Sequence, residues 1–233
     1  MSLHFERTEF DRRIKSLREL MAENKLDGML LFRQESMFYL SGYDTFGYVF
    51  FQCLYLGLDG KLILLTRAPD LRQAENTSIL EDIRIWVDGP EINPARQLKD
   101  ILRECACEGM QLGVEYDSYG LTAKNGKLLD SALAGFCKLK DASNLVNRLR
   151  VIKSPEELVY VRKAAELADD ALDEAHKLVK ADCDEGELLA VMQGAVFRGG
   201  GDYPGNEFII GSGKNALLCR YYSGRRKLDP EDQ

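Results

Sequence analysis

The side chains that most often bind metals or attack substrates are sparse in this chain of 233 residues. Its histidines, His4 and His176, stand far apart and lack the paired spacing of a zinc site. Cys105 and Cys107 lie in a predicted helix, where residues two positions apart face different sides, so they make a poor metal clip. Most of the cysteines lie in apolar segments, which favours buried free thiols over disulfides; they are Cys53, Cys105, Cys107, Cys137, Cys183 and Cys219. We therefore predict no metal site and no cofactor site within these residues.

Two other groups of residues could form binding sites. Cationic side chains cluster near the end of the chain, at Arg220, Arg225, Arg226 and Lys227. No base-stacking pattern accompanies them, and the net charge of -7 disfavours binding to nucleic acid or to an anionic membrane, so we interpret them as a solvated hairpin tip. The second group is the turn that contains Tyr43, Asp44, Phe46 and Tyr48, for which a buried aromatic turn is the simpler interpretation.

The first 150 residues alternate between helical and strand patterns. Phe10, Ile14, Leu17 and Met21 recur at three- and four-residue steps, which predicts an amphipathic helix over residues 7–24. Further helices are predicted at residues 70–77, 94–107 and 121–133, and strands at 29–32, 48–56, 61–65, 83–87, 111–115 and 136–139. The pattern predicts an α/β domain with one mixed sheet over residues 1–150.

A second unit is predicted from residue 151 to residue 233. Ser154 can cap a helix, Pro155 suits its first turn, and Glu157 can reach back to close a capping box. Asp184 and Glu187 repeat this pattern before a second helix, and residues 207–211 and 216–222 read as an antiparallel pair of strands. The apolar face of the first helix is predicted to contain Leu158, Val161, Ala165, Ala168, Leu172, Ala175 and Val179. Two helices and two strands are few for a domain, so we expect this unit to be incomplete.

Three stretches resemble the creatinase/aminopeptidase P/prolidase family. Residues 26–44, LDGMLLFRQESMFYLSGYD, are similar to the strand, helix and turn near the start of that family's N-terminal domain. Residues 145–179 resemble the entry into its catalytic "pita-bread" domain, where a Lys-Ser-Pro-Glu-Glu cap opens the first long helix. Residues 186–222 look like the second helix and first hairpin. The resemblance implies an α/β fold with a mixed-sheet N-terminal domain, followed by a truncated α+β pita-bread domain.

The resemblance also implies an activity and a cofactor. Family members hold two divalent cations, usually manganese, cobalt or zinc, with two aspartates, a histidine and two glutamates. A bridged metal pair can activate a water molecule and polarise a scissile carbonyl. All five ligands follow the hairpin with which this chain ends, so we expect this chain alone to be inactive. The implied substrates of a full-length parent are an Xaa-Pro dipeptide or a small compound with an amide or amidine group.

Arg220 departs from the family pattern. The family hairpin contains a motif like Asn-Ala-x-x-x-His-Tyr, and the matching stretch runs from Asn215 to Tyr221 with Arg220 at the histidine position. An arginine stays protonated and cannot shuttle a proton, but it can bind a substrate carboxylate. The alternative interpretation of Arg220 is an ordinary strand arginine paired with an acidic side chain. In creatinase-like dimers the turn that matches Tyr43, Asp44, Phe46 and Tyr48 resembles a lid over the neighbouring subunit's active site. These four residues are therefore candidate substrate-lid residues.

Arg220 leaves an alternative function open. Pseudo-peptidases with this fold have lost the metals and bind peptides or proteins, and residues 1–150 could instead serve only in oligomerisation. The resemblance implies a homodimer.

No apolar run reaches the roughly 18 residues that span a bilayer and no secretory leader precedes the first helix, so we expect a cytoplasmic protein without a membrane partner.

Overall fold

Two compact units make up the chain, Met1–Ile152 and Lys153–Gln233. The structure, a computed structural model, describes residues 3–205, 208–218 and 226–232. No helix within those ranges is both long and apolar enough to cross a membrane.

A mixed sheet forms the centre of the first unit. Its strands, among the described residues, are β1 (Gly28–Leu31), β2 (Cys53–Gly57), β3 (Leu62–Arg67), β4 (Ile83–Trp86), β5 (Gln111–Val114) and β6 (Lys138–Asp141). They lie in the order β4-β3-β2-β1-β5-β6. The pairs β1/β2 and β2/β3 are antiparallel, whereas β3/β4, β1/β5 and β5/β6 are parallel. The predicted α/β fold with a mixed sheet is confirmed.

Helices cover both faces of this sheet. They are α1 (Arg7–Glu23), α2 (Gln34–Ser41), α3 (Leu71–Thr77), α4 (Pro94–Glu104), α5 (Ala123–Leu133) and α6 (Leu145–Val151), with a short 3-10 turn at Ala68–Asp70. Leu30 packs into the core on the side of α4 and α5, while Met29 and Leu31 pack into the core that includes α1, α2 and α6. Every residue of β1 is consequently buried, which explains its unbroken apolar sequence.

The hairpin predicted around Asp59-Gly60 is present, but its first strand is shorter than expected. Strand β2 begins at Cys53, not at residue 48. The aromatic run that precedes it is turned instead, because the Phe50 N–H donates to the carbonyl of Gly47 at 3.0 Å. The prediction of a strand from residue 48 was therefore wrong. Side chains typical of strands lie here in a loop, and the backbone of that loop is hydrogen-bonded to side chains.

The second unit contains α7 (Pro155–Leu178), α8 (Glu185–Arg198) and a 3-10 turn at Gly213–Leu217. The predicted capping box is present at the start of α7. The Glu157 N–H donates to Ser154 Oγ at 3.1 Å, and the Ser154 N–H donates to Glu157 Oε2 at 2.9 Å. At the start of α8, Asp184 caps through the Gly186 N–H at 2.7 Å. Both helix starts are thus where the sequence predicts them.

The buried face of α7 differs from the predicted one. Its buried residues are Leu167, Ala171 and Ala175, at four-residue steps. Gly199, after α8, leaves room for Leu167, since a Cβ at that position would collide with a Leu167 methyl group. Ala175 is the one residue of the predicted stripe in this buried set; the remainder of that stripe is partly or fully exposed. Two alanines and one leucine therefore form the buried side of α7, while the larger apolar residues of the predicted stripe are left partly or fully exposed.

Residue 207 and residues 219–222 of the predicted strand pair lie outside the described residues, and the remainder of the pair, residues 208–211 and 216–218, is not in strands. Residues 208–212 are irregular, and Gly213–Leu217 is a 3-10 turn. A lone two-stranded hairpin is marginal in water, and among the described residues of this unit no strand lies beside either stretch. Within the described residues, the β-type pairing of this unit is a bridge between Asp184 and Lys227.

Candidate functional site

A ten-residue segment between α2 and β2 combines exposed aromatic rings with a buried polar base. We call residues 43–52 the aromatic loop. Its first half alternates: Tyr43, Thr45 and Gly47 are buried, whereas Asp44 and Phe46 are exposed. Tyr43 has no exposed surface, and Phe46 is 90% exposed. Of the four candidate lid residues, Asp44, Phe46 and Tyr48 are thus accessible, and Tyr43 lies inside.

Side-chain hydrogen bonds join the two ends of the aromatic loop. The Tyr43 hydroxyl donates to Gln52 Oε1 at 2.7 Å. Thr66 Oγ1, from β3, donates to the same oxygen at 2.9 Å and lies 3.1 Å from the Tyr43 hydroxyl. Three buried side chains from three parts of the sequence therefore meet below the loop.

The middle of the aromatic loop is held in the same way. Gln52 Nε2 donates to the Gly47 carbonyl at 2.8 Å, and the Gly47 N–H donates to Thr45 Oγ1 at 2.8 Å. Thr45 Oγ1 in turn donates to Asp70 Oδ1 at 3.0 Å, and Arg67 Nε donates to Asp70 Oδ2 at 3.1 Å. A Cβ at position 47 would collide with the Gln52 amide, so only glycine permits this approach.

The outer side of the aromatic loop presents three exposed aromatic rings and a valine side chain. The rings of Phe46 and Tyr48 meet edge to face, with centroids 6.0 Å apart. The Arg67 guanidinium lies 3.4 Å from the centroid of the Phe50 ring, a cation–π contact. We call Phe46, Tyr48, Val49 and Phe50 the aromatic face. Such a surface binds apolar rings and side chains, and Asp44 at its edge adds a negative charge.

Tyr43 itself is unsuited to acid–base chemistry. Burial raises the pKa of its hydroxyl above the ordinary value of 10.0, and hydrogen bonds to threonine hydroxyls oppose this only in part. The phenol therefore stays protonated at neutral pH and serves as a hydrogen-bond donor.

Glu115, which the sequence analysis did not single out, anchors the helix that leads into the aromatic loop. It follows β5 and has no exposed surface. Its Oε2 accepts from the N–H groups of Phe32 at 3.1 Å and Arg33 at 2.9 Å, and its Oε1 accepts from Ser36 Oγ at 2.6 Å. Burial is the main cause that raises the pKa of Glu115 from 4.5 to about 7. The sequence offered one signal for the role of Glu115, which is its position directly after a buried strand.

Arg220, the candidate substrate-binding residue, lies outside the described residues. A buried network holds the segments on both sides of it. Glu185 Oε1 accepts from the N–H of Ser212 at 2.9 Å and from its Oγ at 2.5 Å. Arg226 Nη1 donates to Ser212 Oγ at 2.6 Å. Ser212 and Arg226 therefore meet at the start of α8.

Sequence models of two domains match the chain. The Creatinase/Prolidase N-terminal domain matches residues 13–152, and Metallopeptidase family M24 matches residues 159–233. The chain belongs to the creatinase/prolidase family. The mixed sheet and the aromatic loop lie within the N-terminal match, and most of α7 lies within the metallopeptidase match.

Curated relatives of this family member include hydrolases and dipeptidases. Ectoine hydrolase from Halomonas elongata is 28% identical over an alignment 234 residues long, which covers 93% of this chain and 58% of the relative. The Xaa-Pro dipeptidase from Pyrococcus horikoshii is 22% identical over 226 residues, with coverages of 95% and 58%. The chain thus spans less than two thirds of the length of these relatives.

Solved structures share the fold. The X-Pro aminopeptidase from Thermotoga maritima superposes with a TM-score of 0.78 at 18% identity, covering 94% of this chain and 58% of that one. The dipeptidase from Pyrococcus horikoshii has a TM-score of 0.75 at 24% identity, with coverages of 94% and 59%. At these identities the likeness establishes the fold alone, a prolidase-type pita-bread architecture of which the chain spans about 59%.

The side chains described here do not fit the metal pair that a metallopeptidase family implies. Across residues 3–205, 208–218 and 226–232, no three or more histidine, cysteine, aspartate or glutamate side chains are grouped so that they could hold a metal ion. We therefore derive no catalytic step through a metal from these residues. Cys53, Cys107 and Cys183 are buried free thiols whose pKa burial raises, and Cys105 and Cys137 are partly buried free thiols. Cys219 lies outside the described part of the chain.

Proposed function

We propose that this chain forms the N-terminal domain, residues 1–150, and the opening part of the catalytic domain, residues 151–233, of a cytoplasmic metal-dependent hydrolase. The observation that carries the proposal is the metallopeptidase match, which begins at residue 159, immediately after the Ser154 capping box that opens α7. The substrates are Xaa-Pro dipeptides or small compounds with an amide or amidine group. Relatives named Xaa-Pro dipeptidase and ectoine hydrolase support this range.

In this proposal the metals are held by residues outside the chain. Two divalent cations, manganese, cobalt or zinc, supply an activated water molecule and polarise the scissile carbonyl when they are bound. The family resemblance places all their ligands after the segment that ends at Tyr222. The 233 residues alone consequently do not hydrolyse a substrate.

The aromatic loop has the role of a substrate lid in this proposal. In a homodimer, its outer side faces the substrate of the neighbouring subunit. Phe46 and Tyr48 offer an apolar surface to a proline ring, and the Asp44 carboxylate offers a partner for a substrate ammonium group. The buried hydrogen bonds below the loop favour a preorganised lid over a disordered one.

A second candidate function is a peptide-binding module that has lost its catalysis. The observation that favours it is Arg220 at the position where the family motif has histidine. A permanent cation at that position binds a peptide carboxylate but does not transfer protons.

Calorimetry and a hydrolysis assay on the purified 233-residue chain separate the two candidates. Ala-Pro is added with manganese, cobalt, zinc or a chelator. The proposed function predicts neither turnover nor binding of the dipeptide. The second candidate predicts metal-independent binding that Arg220→Ala abolishes and Arg220→Lys weakens. Metal-dependent turnover by the 233 residues would contradict both.

A further inference from the structure

The aromatic loop turns successive side chains to opposite sides, although it is not paired as a strand. Tyr43, Thr45 and Gly47 face the buried side, and each takes part in the hydrogen-bonded network below the loop. Phe46 lies between Thr45 and Gly47 in the sequence, and Tyr48 follows Gly47. Their side chains therefore point to the opposite, exposed side. The direction of the aromatic face therefore depends on what the buried residues bind.

Tyr43 occupies the position that links this network to the rest of the domain. It directly follows Gly42, whose left-handed φ of 80° ends α2. Its hydroxyl reaches Gln52, the last residue before β2, and Thr66 on β3. The side-chain amide of Gln52 in turn donates to the Gly47 carbonyl and so restrains the middle of the loop.

We infer that Tyr43 is a positioning residue, whose hydroxyl closes the aromatic loop against β3 and so fixes the outward direction of Phe46 and Tyr48. The inference rests on the proposed function only for the statement that the aromatic face meets a substrate. The anchoring of the loop by the hydroxyl stands on the geometry alone.

The chemistry of the network explains why one hydroxyl has this effect. Gln52 Oε1 accepts from both Tyr43 and Thr66, and these two bonds orient the amide so that Nε2 points at the Gly47 carbonyl. Without the phenolic oxygen, the carbonyl oxygen of the amide loses its shorter bond in a site without water access. Buried hydrogen bonds are costly to lose in this way, and the amide is then free to turn.

The test compares hydrogen exchange in two variants that each lose one buried phenolic hydroxyl. Tyr43→Phe keeps the ring in the core and removes only the hydroxyl of the network. Tyr55→Phe is the matched control, because Tyr55 is also buried but its hydroxyl contacts Cys107 at 3.3 Å, away from the loop. In the full chain, we expect Tyr43→Phe to accelerate amide exchange in residues 44–51 about tenfold, the effect of one lost buried hydrogen bond. Tyr55→Phe leaves those amides unchanged.

A spectroscopic signal from the same chain provides the second readout. Trp86 is the single tryptophan, and its Nε1 donates to the carbonyl of Phe51 at 3.0 Å, at the end of the aromatic loop. We expect a shift of its emission to longer wavelength in Tyr43→Phe. Thr66→Val, which removes the other donor to Gln52, reproduces both effects if Tyr43→Phe does not fold.

The outcomes distinguish a positioning role from a general contribution to stability. Equal lowering of the melting temperature by both tyrosine variants, with loop exchange unchanged or accelerated equally, would overturn the inference. Loss of loop protection in Tyr43→Phe alone supports it. Neither readout requires a substrate. Absence of hydrolase activity in the longer protein that carries these residues would therefore refute the proposed function and leave this inference intact.

Discussion

At the residue scale, buried polar groups determine where the candidate site lies. Glu115 ties the ends of β1 and β5 to the start of α2, and Tyr43 ties the loop that follows α2 to β3. The sequence suggested a buried aromatic turn for Tyr43, Phe46 and Tyr48 together, and only Tyr43 is buried. It could not separate Tyr43 from the others, because the partners of its hydroxyl lie on β3 and at Gln52. Glu115 was overlooked, since a single carboxylate after a strand does not reveal its three donors.

Glu115 should make the stability of the first unit depend on pH. Its pKa of about 7 in the folded chain lies above its ordinary value of 4.5, so the folded state binds more protons between these values. The contribution of Glu115 to stability is therefore fully present below pH 4.5 and is lost as the pH rises through about 7, by at most about 1.4 kcal/mol per pH unit. Urea unfolding followed by Trp86 fluorescence measures this. We expect Glu115→Gln to flatten the slope and Glu108→Gln, at an exposed position, to retain it; an equal slope in all three chains would refute the assignment.

At the scale of elements, the sequence predicted what local chemistry decides. Ser154, Pro155 and Glu157 specify the start of α7 by side chains next to one another, and Asp59-Gly60 specifies the turn between β2 and β3. Two features were mispredicted because distant groups decide them. The aromatic run at residues 48–52 has strand-like side chains but is held in a loop by Gln52 and Asp70. The buried face of α7 is chosen by the packing of α8, not by the longest apolar stripe.

The capping box at Ser154 gives a prediction for α7. Ser154→Ala removes the acceptor of the Glu157 N–H and should cost about 1 kcal/mol of stability in the second unit. Ser154→Asp should restore most of this loss, because aspartate caps as well as serine does. Glu157→Gln is the control, since glutamine also completes a capping box. Circular dichroism during thermal unfolding measures the differences, and an unchanged Ser154→Ala chain would contradict the assigned role.

At the scale of the whole molecule, the second unit exposes apolar side chains along α7. Val161 is 48% exposed and Leu172 is 49% exposed, and Val159 and Tyr160 are exposed near them. Contiguous apolar surfaces on soluble proteins usually mark contacts with other proteins. The chain also spans about 58% of the length of its curated relatives. The sequence indicated that the stripe would lie uncovered, but it could not identify the side of α7 that packs on α8.

We expect the exposed side of α7 to cause self-association of the purified chain as a dimer. Light scattering at micromolar concentration measures the mass. Combining Val161→Lys with Leu172→Glu should shift the chain to a monomer, because charges at both positions would be buried in the contact. Ile92→Glu, at an exposed apolar position of the first unit, is the control and should leave the dimer intact. A monomeric parent chain with low dye binding to apolar surface would contradict this expectation.

The most direct measurement for the whole account is hydrolysis of Ala-Pro by the protein that carries these residues in its native source. The protein is stripped of metal, reloaded with manganese, cobalt or zinc, and compared with its Phe46→Ala variant and with an Ile92→Ala control. We predict metal-dependent turnover, a KM for Ala-Pro that rises in Phe46→Ala, and unaltered kinetics in Ile92→Ala. Absence of turnover with every metal on Ala-Pro and on small amide and amidine substrates, with peptide binding retained, would contradict it in favour of the binding module.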